Sequence, residues 1–159
     1  MDREGLTEVL QVLHLNGNSL NEINAAIGKI HSLQELDLSG NGLTYLPEAI
    51  GSLERLQILR ADHNNLQRLP DGLFLATHNL LLLSLTHNNI TVLPPTMGLV
   101  KNLKHLFLDH NSLMQYPAYT SLQLLQTLSL KHNKLETLPA AVGQLLGLKD
   151  LILSHNKLI

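Results

Sequence analysis

The sequence has no cysteine and no tryptophan, and it holds two phenylalanines and three tyrosines among 159 residues. Without cysteine the chain has no disulfide framework, no thiolate nucleophile and no cysteine-type zinc site, so a reducing compartment fits best. Because aromatic rings are so few, the core must consist almost wholly of leucine and isoleucine. The hydrophobic content of 44% excludes a disordered segment, and a chain of this length can bury a sizeable core.

Excess charge and long apolar runs are also missing. The formal net charge is −2, from 11 basic and 13 acidic residues, and gives no field that would favour nucleic acid or an anionic membrane. No apolar run reaches the roughly 18 residues that cross a bilayer, so we expect no membrane insertion. The segment Met1 to Leu6 is charged and has no apolar core behind it, unlike a secretion signal. We expect a cytoplasmic protein, although the acceptor pattern at Asn89 to Thr91 leaves an extracellular origin open.

What the sequence does contain is an internal repeat with the frame L-x-x-L-x-L-x-x-N-x-L. Its asparagines are spaced by 23, 23, 24, 23, 22 and 23 residues, at Asn18, Asn41, Asn64, Asn88, Asn111, Asn133 and Asn156. The frames begin at Leu10, Leu33, Leu56, Leu80, Leu103, Leu125 and Leu148. An amide can satisfy backbone donors and acceptors where the chain leaves a strand, so we expect the asparagines to form a structural ladder.

Each repeat combines two periodicities. The L-x-L piece, such as Leu36-Asp37-Leu38, alternates with period two and predicts a short strand with one buried face. The second half, such as Leu46 to Leu53, spaces its apolar residues more widely after a proline, which indicates a helical or 3₁₀ turn. One coil cannot bury its leucines alone, so coils must stack and their strands form a parallel sheet. Strands lie about 4.8 Å apart and the turns are bulkier, so the stack should bend with the sheet inside.

The frame resembles that of the leucine-rich-repeat family from Leu10 to Ile159. The resemblance implies an α/β leucine-rich-repeat solenoid, a right-handed curved coil with a concave parallel β-sheet and a convex face of short helical or 3₁₀ turns. The L-P-x-x-I-G-x-L tail at Leu46 resembles the intracellular class of Ras-suppressor-like proteins and of scaffolds such as scribble and erbin. Two returns depart from that tail: Leu69 to Phe74 is one residue longer and resembles the extracellular type, and Tyr116 to Tyr119 is one shorter.

We expect residues 1–159 to form a single leucine-rich-repeat domain. Six full repeats start at residues 10, 33, 56, 80, 103 and 125, and a partial seventh starts at residue 148. Neither end has an obvious polar cap over its leucines, so we expect a fragment of a longer protein. The oligomeric state is left open by the sequence.

The candidate binding surface consists of strand side chains that point out of the sheet. When each frame is numbered from its first leucine, positions 3, 5 and 7 should face the concave space because positions 4 and 6 point inward. Ile58, Leu82 and Phe107 would form an apolar centre there, with polar neighbours as in interface hot spots. The candidate partner-binding residues are Ile58, Arg60, Asp62, Leu82, Ser84, His105, Phe107, Asp109, Ser129 and Lys131. The alternative interpretation is that these side chains vary without functional consequence because they only face solvent.

Position 8 holds a second pattern, in which two glycines are followed by five histidines. The residues are Gly17, Gly40, His63, His87, His110, His132 and His155. On adjacent strands the rings should lie roughly 5 Å apart, close enough to stack. A structural filler is favoured over metal binding because one unit offers no closed ligand set, and we expect no metal and no cofactor. Mutual repulsion should lower the histidine pKa values and weaken the solenoid in mild acid.

Catalytic motifs are not found in the sequence: it contains no G-x-G-x-x-G, P-loop, G-x-S-x-G or H-E-x-x-H. Ser84, His105 and Asp62 could be assembled into a triad on paper, but any polar sheet offers such triples. We therefore expect a non-catalytic module that binds a protein, in a signalling scaffold or regulator. The alternatives are a targeting or regulatory arm of a larger kinase, phosphatase, GTPase or ubiquitin ligase, and a recognition protein of immune or pathogen type.

Overall fold

The structure is a computed structural model that describes residues 3–159, so Met1 and Asp2 of the N-terminal segment considered above lie outside it. A short helix, α1 (Arg3–Val9), precedes seven strands of three residues each. The strands are β1 (Val12–His14), β2 (Glu35–Asp37), β3 (Ile58–Arg60), β4 (Leu82–Ser84), β5 (His105–Phe107), β6 (Thr127–Ser129) and β7 (Asp150–Ile152). Each strand occupies positions 3 to 5 of its frame, where the alternating leucines predicted it.

The strands form one parallel sheet in sequence order, from β1 to β7. Equivalent frame positions are register partners, so Leu36 pairs with Leu13 on one side and with Leu59 on the other. The register follows the frame even across the longer third repeat, where Ile58 pairs with Leu82. A slip of one residue would turn every buried leucine to solvent, and the leucine pattern therefore fixes the register.

The return segments confirm the predicted 3₁₀ turns of the convex face. In the part of the chain described, 3₁₀ helices span Ala25–Lys29, Glu48–Ser52, Asp71–Phe74, Pro95–Leu99 and Ala140–Gln144. Four of them follow an N-cap proline with φ from −67° to −71°, the angle that the proline ring imposes. The first is instead capped by Asn24, whose Oδ1 accepts the N–H of Ala26 at 2.8 Å.

The core lies between the sheet and the return segments and runs through all coils. Its members are chiefly frame leucines such as Leu33, Leu36 and Leu38, which are fully buried. At the two ends the equivalent leucines, for example Leu13 and Leu153, are only partly buried. The core is therefore aliphatic, as the scarcity of aromatic residues predicted.

Two irregular returns are filled by the few aromatic side chains. In the longer third unit Phe74 is fully buried, and Thr77 Oγ1 donates to the Leu73 carbonyl at 2.7 Å. The shorter fifth return has no 3₁₀ helix, and the rings of Tyr116 and Tyr119 pack edge to face with centroids 5.5 Å apart. Larger side chains thus compensate for changes in repeat length.

Candidate functional site

The apolar centre predicted on the concave face is present as a patch across three strands. We use the term apolar centre for the side chains of Ile58, Leu82 and Phe107. Ile58 and Leu82 are register partners, and Phe107 lies on the next strand, two positions further along. All three side chains are partly exposed on the middle strands of the sheet. Their exposure cannot be explained by a chain end, since two or more strands lie on either side.

His105 and Phe107 leave β5 on the same side of the sheet. Their rings are nearly parallel, at 6°, with centroids 6.4 Å apart. The Nδ1 atom of His105 lies 3.2 Å from Thr127 Oγ1 on the next strand, which fixes the plane of the imidazole. The imidazole beside Phe107 is therefore oriented by Thr127.

Two of the predicted contact residues form hydrogen bonds within the protein and are buried. Ser84 and Ser129 are 8% and 2% exposed, and their hydroxyls donate to the carboxylates of Asp62 and Asp109 on the preceding coil. The same carboxylate oxygens accept the backbone N–H two residues beyond each serine, at 2.6 and 2.8 Å. A carboxylate of the neighbouring coil therefore covers each short hydroxyl, which leaves these two position-5 side chains little surface for a partner.

Arg60 is positioned by a residue that was not among the candidates. Its Nη1 donates to Glu35 Oε1 at 2.8 Å, and His14 Nε2 lies 3.0 Å from the same oxygen. Because such partly exposed pairs stabilise a fold little, the main effect is to orient the guanidinium beside the apolar centre. Opposite charges on neighbouring strands were the sequence signal that could have identified Glu35.

The predicted asparagine ladder connects each coil to the one before it. Asn111 Nδ2 donates to the carbonyls of Leu108 (3.1 Å) and Leu85 (2.9 Å), and its Oδ1 accepts the N–H of Ile90 at 2.9 Å. One buried amide thus satisfies a carbonyl of its own coil and two groups of the preceding coil. Asn18 in the first coil is exposed and donates within its own coil.

The five histidines form a continuous stack along one edge of the sheet. Neighbouring ring centroids from His63 to His155 lie 4.3, 4.1, 4.2 and 4.1 Å apart. Desolvation and then the charges of His110 and His63 lower the pKa of His87. Desolvation, followed by the charges of His155 and His110, lowers the pKa of His132. Within residues 3–159, no group of three or more His, Asp or Glu side chains is placed to hold a metal ion.

Backbone conformation explains the residue types of this column, which sequence reasoning missed. All five histidines have positive φ, from 52° to 59°, and Gly17 and Gly40 at the same position have φ of 68° and 64°. Glycine adopts this left-handed region freely, and histidine is one of the few other residues enriched there. The two glycines in the column were the available signal.

The triad that could be assembled on paper does not form a connected set. Ser84 Oγ donates directly to Asp62 Oδ1 at 2.7 Å. His105 bonds to Thr127 instead, so its imidazole is not positioned by Asp62 and does not contact the serine hydroxyl. The hydrogen bond between Ser84 and Asp62 instead joins two neighbouring coils.

Comparisons with known proteins agree with the repeat. A family profile described as "Leucine rich repeat" matches residues 54–113, and another described as "Leucine Rich Repeat" matches residues 32–53 and 124–145. Together they cover more than half of the chain. Leucine-rich repeats are in general non-catalytic binding modules. A comparison with curated proteins gives no significant match.

Three solved structures are similar over nearly the full length of the chain. A leucine-rich-repeat protein of Leptospira interrogans is 33% identical, with a TM-score of 0.79, over 98% of this chain and 46% of that one. The ectodomain of the Arabidopsis thaliana receptor kinase GASSHO1/SCHENGEN3, in complex with CASPARIAN STRIP INTEGRITY FACTOR 2, is 32% identical, with a TM-score of 0.85, over 98% and 20%. TLR13, in complex with ssRNA13, is 30% identical, with a TM-score of 0.82, over 92% and 21%.

The chain therefore spans less than half of the length of each of these three structures. No helix within residues 3–159 is long and apolar enough to cross a membrane.

Proposed function

Because the chain belongs to the leucine-rich-repeat family, whose domains generally mediate protein–protein interaction, we propose that it is a non-catalytic module that binds a protein on its concave sheet. The observation that carries this proposal is the apolar centre, which is partly exposed in the middle of the sheet. Clustered apolar side chains with an aromatic ring and a neighbouring arginine are the composition of interface hot spots. In this protein the neighbouring arginine is Arg60, whose guanidinium forms an ion pair with Glu35.

A protein partner is favoured over nucleic acid by the charges of the concave face. Positions 3, 5 and 7 carry five carboxylates and two cations, a balance that repels phosphate. Of the similar structures, one is a complex with CASPARIAN STRIP INTEGRITY FACTOR 2 and another is a complex with ssRNA13. We expect this chain to lack the basic surface that binding of an RNA strand requires.

For the cellular setting, we propose a signalling scaffold or regulator in the cytoplasm, of the intracellular repeat class. The lack of cysteine and the L-P-x-x-I-G tail at Leu46 support this setting. The similarity to a receptor ectodomain and to TLR13 favours a second candidate, a recognition protein of immune type. A targeting arm of a larger enzyme is a further alternative, since the similar structures are longer. Glycosidase treatment of secreted protein, which tests for a glycan on exposed Asn89, separates the first two.

Affinity capture with matched variants tests the proposed function. Wild type is compared with Phe107→Ala plus Arg60→Ala on the concave face, and with Tyr45→Ala plus Arg68→Ala, an exposed aromatic and arginine away from the sheet. We expect partners to be lost with the first pair and retained with the second. Loss with the second pair alone would move the site off the sheet, and retention of all partners by both variants would refute binding through either surface.

A further inference from the structure

The concave face is more acidic than the chain as a whole. Positions 3, 5 and 7 hold five carboxylates and two cations, a formal charge of −3, against −2 for all 159 residues. The carboxylates are those of Glu35, Asp37, Asp62, Asp109 and Asp150, and the cations are Arg60 and Lys131. Such a face attracts a cationic partner and repels an anionic one.

Part of this charge is neutralised inside the protein and part is not. Arg60 and His14 both contact the carboxylate of Glu35. Asp62 and Asp109 use Oδ1 to accept a serine hydroxyl and a backbone N–H, and neither forms an ion pair with a cation of the described chain. These hydrogen bonds hold both carboxylates in one orientation, with Oδ2 free of hydrogen bonds from residues 3–159.

The two carboxylates border the apolar centre. Asp62 and Asp109 follow the ends of β3 and β5, the outer two of the three strands that carry the centre. Two strand spacings place them about 10 Å apart. Lys104 and Lys149 stand at position 2, where strands begin, on the opposite edge of the sheet, and Lys131 lies one coil beyond Asp109. The surface thus joins the apolar centre to two carboxylates that form no ion pair within residues 3–159.

We propose that the partner presents a basic, extended segment of polypeptide to this surface. Two lysine or arginine side chains about 10 Å apart meet Asp62 and Asp109, and an apolar side chain packs on the apolar centre. Residues i and i+3 of a polyproline II segment point the same way and lie about 9 Å apart, which matches the spacing of the carboxylates. The apolar contact supplies most of the affinity, and the charges supply orientation and specificity. This inference rests on the proposed function and adds the chemistry of the partner.

Fluorescence anisotropy with short labelled peptides tests this inference. The basic peptide has two arginines three residues apart beside one phenylalanine, in a chain of serine and proline. A second peptide has glutamate in place of both arginines, and a third has serine in place of the phenylalanine. We expect the protein to bind the basic peptide most tightly, and the binding to weaken as salt rises above about 0.15 M.

A matched pair of protein variants separates charge from structure. Asp62→Asn plus Asp109→Asn removes both charges but keeps an oxygen that can accept the serine hydroxyl and the backbone N–H. Asp71→Asn plus Glu136→Gln removes the same charge from exposed sites outside the sheet. We expect the first variant to bind the basic peptide at least about tenfold more weakly and the second to bind it as wild type does, with equal melting temperatures.

Several results would overturn the inference. These are equal binding by the Asp62/Asp109 variant, no binding of the basic peptide, and tighter binding of the glutamate peptide or of a single-stranded RNA oligonucleotide. If the glutamate peptide is preferred and Phe107→Ala abolishes its binding, the concave site stands and the basic segment alone is wrong. If Phe107→Ala changes binding of none of the peptides, the proposed concave site fails as well.

Discussion

The two tyrosines of the fifth return segment differ in the surroundings of their hydroxyl groups. Both rings are buried, and burial raises the pKa of each phenol, with a further contribution from Tyr116 at Tyr119. Tyr119 Oη donates to the Pro94 carbonyl at 2.7 Å, whereas the Tyr116 hydroxyl has no hydrogen-bond partner within residues 3–159. A buried polar group without a partner costs stability, and a paired one contributes to it.

Removing each hydroxyl should therefore have opposite consequences. We expect Tyr119→Phe to lower the free energy of unfolding by about 0.5–1.5 kcal/mol, because the hydrogen bond to the Pro94 carbonyl is lost and that carbonyl keeps only the N–H of Met97. Tyr116→Phe should leave that free energy unchanged or raise it by up to about 1 kcal/mol. Urea denaturation of the two variants measures the difference. A Tyr116→Phe protein less stable than Tyr119→Phe would contradict this account of the fifth return.

At the level of single residues, the sequence predicts buried leucines better than the state of polar side chains. Leucine burial follows from a period that one strand imposes locally. The burial of Ser84 and Ser129 depends instead on carboxylates that lie 22 and 20 residues earlier in the chain, and no local sequence pattern predicts that contact. The partner-binding role of the concave residues stays a prediction, since it depends on a molecule outside this chain.

At the level of the elements, the asparagine ladder joins neighbouring coils at the ends of the strands. Asn111 is buried and contacts both its own and the preceding coil, whereas Asn18 is exposed in the first coil. Alanine at position 111 would leave the buried Ile90 N–H without its partner, whereas the Leu85 and Leu108 carbonyls would each keep one amide donor from a neighbouring asparagine. At position 18 the asparagine side chain is exposed, so water replaces the hydrogen bonds that alanine removes.

We expect Asn111→Ala to lower the free energy of unfolding by about 1–3 kcal/mol and Asn18→Ala by less than about 1 kcal/mol. Chemical denaturation followed by circular dichroism measures both values. Equal losses for the two variants would mean that the ladder does not join the coils in the way the hydrogen bonds indicate.

The histidine stack makes stability depend on pH. The groups that face it are the five histidines themselves with Asp62, Asp109 and Lys131, and the aspartates partly offset the repulsion. Because the folded pKa values of His87 and His132 lie below the unfolded value of about 6.5, the unfolded chain binds more protons in this range. The free energy of unfolding therefore falls as pH decreases through about 6.5 toward the lowered pKa values.

We expect the melting temperature to fall by a few degrees between about pH 7.5 and pH 5, a range that spans the ordinary histidine pKa. The control is His87→Asn plus His132→Asn, which removes both titrating groups and keeps residues that accept positive φ. This variant should show a flatter pH profile by calorimetry. Identical profiles for wild type and variant, or a wild-type melting temperature independent of pH, would remove the histidine stack as the cause.

For the whole molecule, the sequence was sufficient to predict the topology of the fold, but it predicted the function only in outline. Repeated leucine frames leave one way to bury the apolar residues, which is to stack the coils with strands in register. The same argument says nothing about which face a partner uses, because the concave columns vary independently of the core. The apolar centre supplies that preference, together with the carboxylates of Asp62 and Asp109, which form no ion pair within residues 3–159. Binding through the concave sheet is the claim that most needs measurement.

Site-specific photo-crosslinking from matched leucines measures it. A photoreactive amino acid replaces either Leu82 in the apolar centre or Leu99, which is 44% exposed on the convex face, and each protein is irradiated with its captured partner. We expect a covalent adduct from position 82 that excess unlabelled wild type competes away, and none from position 99. An adduct from position 99 with none from position 82 would contradict concave-face binding.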